Sequence, residues 1–252
     1  MNTKIKTALI GAVALIIGNV VTALGPALFS WGWKPEFVMS DIYRELRREN
    51  PKLEPTLEKQ LLERELYYKA KSYDINFAKI NNGMVKIYVT TTTEIRNSTD
   101  KEKDYEHVVI FNSNGFNYQN IKITSHDGKT EIYDQQRIRS EVSMKLGSGD
   151  IKYTFGKQKI PPKESITIES NYHFEKPVKN NEEAFVTNRL VNSNVTYQIH
   201  NNTNDPNFSF GWSSLAFPEE LPPSNGDKMN PKITIPGPVF TGQGIALTWD
   251  SK

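Results

Sequence analysis

Residues 81–90, NNGMVKIYVT, decide how most of this chain folds. Val85, Ile87 and Val89 alternate with Lys86, Tyr88 and Thr90 in a run rich in β-branched residues, and a period of two with that composition spells a half-buried strand. Asn81-Asn82-Gly83 in front of it is hairpin chemistry, because Asn and Gly accept the positive φ of a tight turn. The pattern therefore predicts an earlier strand over residues 73–79 that pairs with it.

Downstream the alternation recurs at 108–111, 118–124 and 130–133, the last two joined by a His126-Asp127-Gly128 turn. Ile151, Tyr153 and Phe155 share a face, as do Ile166 and Ile168 with Tyr172 and Phe174. Val195, Tyr197 and Ile199 follow, then Phe208, Phe210 and Trp212. Ile233 and Ile235 lead across PGPVFTGQG to Ile245, Leu247 and Trp249, which ties the chain end into a sheet. About ten short strands separated by turn signals predict a mainly β fold, an antiparallel β-sandwich or barrel. In this alternation the sequence resembles the middle of many β-sandwich domains. The head is placed at 72–252, with 218–231 a long loop and 177–183 a polar seam that would allow two small sandwiches. One continuous head is preferred, since the part beyond Pro177 holds few strands with which to close a core.

Upstream the period becomes helical. Residues 34–71 read as a juxtamembrane collar of two helices, the first capped by Ser40 and stopped at Asn50-Pro51. The second starts near Glu54-Pro55 and runs through LEKQLLERELYYKA with Leu57, Leu61 and Leu66 on one stripe.

Residues 1–33 read as a membrane anchor. The stretch 7–29, TALIGAVALIIGNVVTALGPALF, carries no charge, and a spanning helix needs roughly 20 apolar residues. A signal peptide competes, because Lys4 and Lys6 give a basic start, but the run exceeds the roughly 7 to 15 residues of a signal core and Pro26 follows the Ala23-Leu24-Gly25 cleavage candidate. Trp31 and Trp33 fall where an interfacial aromatic belt belongs. Gly11, Ala14, Gly18, Thr22 and Gly25 lie on one helical stripe, and small residues there let two backbones approach in lipid. Asn19 gains from a partner on another helix. The expected partners are membrane lipid and a second copy of the chain through this stripe. Lys4 and Lys6 lean toward an extracytoplasmic head, whereas counting Arg44, Arg47 and Arg48 on the other flank reverses the lean.

The 31 basic residues against 29 acidic ones leave no electrostatic footprint for nucleic acid, so none is expected as a partner. No cysteine is present, which removes thiolate chemistry and disulfides. His107, His126, His173 and His200 lack the three- or four-residue spacing of a local metal pair and are read as surface residues. No Gly-x-Ser-x-Gly elbow or Walker loop occurs. The sequence names no catalytic residue, no metal ligand and no cofactor. The 201–205 loop, NNTND, offers oxygens to a hard cation without the EF-hand spacing, and reads as a turn. Gly237-Pro238 and Gly242-Gln243-Gly244 read as a bulge or tight turn rather than a phosphate cradle, since no helix follows. Asn97, Asn194, Asn201 and Asn207 begin glycosylation-type triplets.

These observations predict a non-enzymatic head on a single-pass anchor that binds or senses a ligand or protein partner of unknown identity. In layout alone the chain is similar to small membrane-anchored β-domain effectors of bacterial antiphage defence, some of which sense cyclic nucleotides. That likeness implies, as an alternative, anchors that assemble into a membrane-disrupting complex. A further alternative is an enzyme whose carboxylates meet only in three dimensions.

Overall fold

The computed structural model describes residues 65–111, 116–145, 151–179, 181–186, 190–215, 230–240 and 242–251. The anchor stretch, with Gly11, Ala14, Gly18, Asn19, Thr22 and Gly25, lies outside them, as do Trp31, Trp33 and the collar up to residue 64. Among the described residues no helix is long and apolar enough to cross a membrane.

The described chain is mainly β. Its strands are β1 Leu66–Asn81, β2 Met84–Asn97, β3 Lys103–Phe111, β4 Asn117–Thr124, β5 Thr130–Asp134, β6 Ser143–Lys145 and β7 Ile151–Ile160. They continue as β8 Ser165–Pro177, β9 Asn181–Val186, β10 Asn192–Asn201, β11 Phe208–Leu215, β12 Lys232–Val239 and β13 Gly244–Ser251. A seven-stranded sheet runs in the order β12-β10-β1-β2-β8-β4-β5, and two three-stranded sheets run β11-β13-β9 and β3-β7-β6.

The hairpin read from NNG is β1–β2. Asn82 and Gly83 take φ of 50° and 71°, the positive values that a two-residue loop between twisted strands needs. The turn pairs Ile80 with Val85, and a bulge between Phe77 and Ile80 then shifts the register by one residue, placing Phe77 opposite Ile87 and Ile75 opposite Val89. Every inward residue of the pair then falls on one face. One boundary needs correction. β1 begins at Leu66, so residues 66–71 belong to the sheet and not to a collar helix; once Tyr68, Tyr73, Ile75 and Phe77 are buried on one face, tertiary burial outweighs the helical stripe that Leu66 suggests.

β10 lies parallel to β1, Ile75 opposite Ile199, although more than a hundred residues separate them. Strands from either side of 177–183 therefore share one sheet, and this polar stretch connects β8 to β9 inside a single body.

The two small sheets cover opposite halves of one face of the large one. Phe77 of β1 packs against Phe208 and Phe210 of β11 and Trp249 of β13, with ring centroids 5.2, 5.5 and 5.4 Å away. At the other end Tyr118 of β4 meets Tyr153 of β7 at 4.9 Å, and Tyr133 of β5 meets Phe155 at 5.3 Å. Edge-on and offset aromatic pairs at these separations add to the area they bury.

Asn97, fully buried at the end of β2, fastens one end of this arrangement. Its Nδ2 donates to the carbonyls of Lys101, Ile160 and Pro161 at 2.8, 2.9 and 3.1 Å, and its Oδ1 accepts from Thr99 N and Oγ1. The side chain is thus committed to the fold, whatever its glycosylation-type triplet suggests. Asn97→Ala leaves those carbonyls without their donor and costs about 1–3 kcal/mol. Urea denaturation checks this: the midpoint falls at unchanged slope, and an unmoved midpoint would show that the amide holds nothing.

Candidate ligand-binding cleft

The inward face of the large sheet is apolar almost throughout. Ile75, Phe77, Val85, Ile87, Val89, Ile95, Ile121, Ile123, Ile166 and Ile168 are all at most 1% exposed. Four polar side chains interrupt it together. Lys71 of β1 sits opposite Thr93 of β2, Tyr73 opposite Thr91, and Thr91 in turn opposite Ser170 of β8. Lys71, Thr93 and Ser170 are only 8%, 6% and 3% exposed. Because side chains alternate across a strand, these positions continue the apolar rows Phe77-Ile75-Tyr73 and Val85-Ile87-Val89, and every one of them would hold an apolar residue if the face served packing alone.

Above this polar island the two covering sheets leave a cavity of about 490 Å³. Tyr73 and Phe185 line it on one side, Phe116, Tyr118 and Tyr172 on the other, and His107 and Val109 of β3 reach in. Lys176 and Glu183, paired at 2.9 Å, also face it. The wall on the β9 side is held by two tyrosines from the large sheet, Tyr73 donating to the Val186 carbonyl at 2.9 Å and Tyr197 to the Phe185 carbonyl at 3.0 Å. Their rings stack at 5.1 Å. Burial raises the pKa of Tyr73, Tyr118, Tyr172 and Tyr197, so all four stay neutral at ordinary pH.

Lys71 has no such anchoring. Its Nζ lies 5.4 and 5.0 Å from the ring centroids of Tyr68 and Tyr73, a cation–π position. Among the described residues no carboxylate pairs with it. Burial pushes its amine below the usual lysine range, with the Tyr68 charge acting weakly the other way. Thr91, Thr93 and Ser170 likewise make no side-chain hydrogen bond to another described residue. An amine and three hydroxyls thus line one cavity, where they are open to a ligand's polar groups.

The sequence reading did not single out Lys71, because it falls on the last residue assigned to the collar. The period-two row running back from Phe77 through Ile75 and Tyr73 is the signal that reaches it.

The four histidines separate. His126 is exposed in its turn, and His200 lies 3.5 Å from Asp74 and 3.3 Å from Asn230 Oδ1 at a strand end. His107 and His173 depart from the expected surface role. His107 lines the cleft with its ring 5.5 Å from Phe155; His173 packs on Tyr88 at 5.5 Å, its Nδ1 is buried without a hydrogen bond, and burial, with Lys86 nearby, lowers its pKa. Both sit in strands, where alternation decides burial more than polarity does.

In the 201–205 loop the oxygens are used within the fold. Asn201 Oδ1 accepts from Thr203, Asn204 Oδ1 from Ile80 N, and the Asp205 carboxylate from Asn207 N and the Ser251 hydroxyl. The loop is a clasp joining β1, β11 and β13. Gly237 and Gly244 are strand positions where backbones meet, since a Cβ at either would fall on the carbonyl of Ser193 or of Phe185. Close approach of neighbouring strands accounts for both glycines.

No protein-family model matches the chain, and no curated protein matches its sequence. Among solved structures it is similar to a candidate protease from Parabacteroides distasonis, at 10% identity and a TM-score of 0.41 over 75% of this chain and 40% of that one. A candidate nutrient-binding protein from Legionella pneumophila gives 11% identity and 0.42 over 75% of this chain and 68% of that one. An M1 zinc metallopeptidase from Deinococcus radiodurans gives 10% identity and 0.37 over 73% and 42%. The chain spans less than half the length of the first and third of these. At such scores the likenesses carry nothing about the cleft.

Proposed function

We propose that this protein is a non-enzymatic binding module: a β head that takes a small ligand in the Lys71 cleft, carried on the single-pass anchor read at residues 7–29. What supports the reading is one observation, the cluster of Lys71, Thr93 and Ser170, buried, with half-buried Thr91 beside them, beneath a cavity and without a hydrogen-bond or ion-pair partner among the described residues. These polar groups line the cavity, where a ligand with complementary acceptors can engage them. The cavity lies within the range of about 300–1,000 Å³ typical of small-molecule sites, mostly apolar with a few convergent polar groups. The anchor holds the head at a membrane surface, and its small-residue stripe brings copies together there.

The test is a thermal-shift screen of the full chain in detergent micelles against organic acids, nucleotides, sugars and short peptides, repeated on Thr91→Trp, which fills the cleft from its floor. A ligand at about a hundred times its Kd stabilises the folded state by about 2.7 kcal/mol, or several degrees for a domain of this size. At least one class shifts the wild type and leaves Thr91→Trp unmoved. A screen that shifts nothing, or shifts both proteins alike, overturns the proposal.

A further inference from the structure

Resting on that reading, we infer that the ligand is a small organic acid carrying a single negative charge, its anionic group seated on Lys71, Thr91, Thr93 and Ser170 and a flat apolar body held between the aromatic walls.

The charge follows from a count made inside the cavity. Two lysines face it, and Glu183 already neutralises Lys176 at 2.9 Å. Among the described residues Lys71 is left as the lysine without a carboxylate partner, which matches one negative charge and leaves a polyphosphate without countercharge. The head group follows from the donors. An ammonium offers three N–H bonds and each hydroxyl one more, from neighbouring register positions on the floor of one cavity, and an ionised carboxylate accepts about four hydrogen bonds without donating any. Charge-assisted bonds of this kind are roughly twice as strong as neutral ones.

The body follows from the walls. Tyr73 and Phe185 stand edge to face at 5.8 Å on one side, while Tyr118 and Tyr172 do so at 5.7 Å on the other. A planar ring between them completes the same offset and edge contacts. An aryl carboxylate has this chemistry, and so does the cyclic phosphodiester of a nucleoside, which is singly charged and carries a flat base.

Isothermal titration of the full chain in micelles separates the cases, with 2-naphthoate, its neutral amide 2-naphthamide, adenosine 3′,5′-cyclic monophosphate and inorganic phosphate as probes. One of the two organic monoanions binds, and which one assigns the source. The binding monoanion loses affinity about tenfold or more in Lys71→Met, the size of a lost charge-assisted contact, while Lys71→Arg retains part of it. 2-Naphthamide binds about tenfold more weakly than 2-naphthoate if the carboxylate is the source. Equal binding of naphthoate and naphthamide, unchanged affinity in Lys71→Met, or tighter binding of inorganic phosphate than of either organic anion overturns the inference. A neutral ligand found by the thermal screen, with Lys71→Met indifferent to it, would overturn the anion and leave the binding module standing. Silence from every probe and every screened class overturns both.

Discussion

Lys71→Met melts at a higher temperature than the wild type in the absence of ligand. Methionine fills a similar volume without a charge, and replacing buried charge by well-packed apolar groups often stabilises by about 1–4 kcal/mol. For a domain of this size each kcal/mol moves Tm by about 2–4 °C. The gain depends on pH, and the sign can be worked out. Burial lowers the Lys71 pKa in the folded state, so between that value and about 10.4 in the unfolded chain the unfolded state holds a proton that the folded state has shed. Wild-type stability therefore rises with pH across that window. On its acid side both states keep the proton and the cost of the buried ammonium is present in full. The Tm gap between Lys71→Met and wild type is accordingly widest on the acid side of that window and narrows as pH climbs toward 10. Tyr68, Tyr73, His107, Tyr118, Tyr172, Lys176 and Glu183 face the same cavity, and only Tyr68 acts appreciably on Lys71, opposing the burial that dominates. Melting curves of both proteins at several pH values check this. A wild type that melts higher than Lys71→Met at neutral pH without ligand would mean that the amine is paired in solution, and the cleft would lose its vacant donor.

The same residue marks where sequence reasoning stops. Alternation alone locates β2, β8, β10 and β13, because burial on one face of a twisted sheet imposes a period of two that the residues obey. NNG announces the first hairpin, since its two positive φ angles demand those residue types. What alternation does not carry is pairing between distant strands. The parallel contact of β10 with β1, and the split of the covering layer into two sheets, rest on contacts between segments far apart in the chain, for which no local residue set is obligatory. The cleft needs that split, because its void lies between the two covering sheets. Lys71, Thr91, Thr93 and Ser170 belong to three strands and become a cluster only through register. Taken singly they read as a charged residue at a helix end, two members of a threonine run and an isolated serine. The 201–205 loop shows the converse. Its Asn-rich composition is legible as a turn, while its use as a clasp from Ile80 to Ser251 appears only once β1, β11 and β13 converge.

Phe77→Ala unfolds the head at a markedly lower temperature and takes the cleft with it. Phe77 is fully buried and is the inward residue of β1 on which Phe208, Phe210 and Trp249 converge. Truncating a buried phenylalanine costs about 3–5 kcal/mol, the lost transfer energy plus the cavity left behind, against a total stability of about 5–15 kcal/mol for a domain. The expected fall in Tm is about 10 °C or more. The loss is concentrated at the contact between β1 and the β11-β13-β9 sheet, and that sheet carries Phe185 and Glu183, part of the cleft wall. Tyr73 and Tyr197 hold β9 by two hydrogen bonds to its backbone, worth about 1 kcal/mol each, which is too little to keep the wall in register once the aromatic contact is gone. Ligand affinity therefore falls together with stability, although Phe77 does not line the cavity. Phe77→Leu, which keeps most of the volume, preserves binding and lowers Tm by a smaller amount. Calorimetry and titration on the two variants separate this from a purely local defect. If Phe77→Ala melts within about 3 °C of the wild type, or binds the probe equally well while folded, the β11-β13-β9 sheet is not held through Phe77 and the cleft wall has another support.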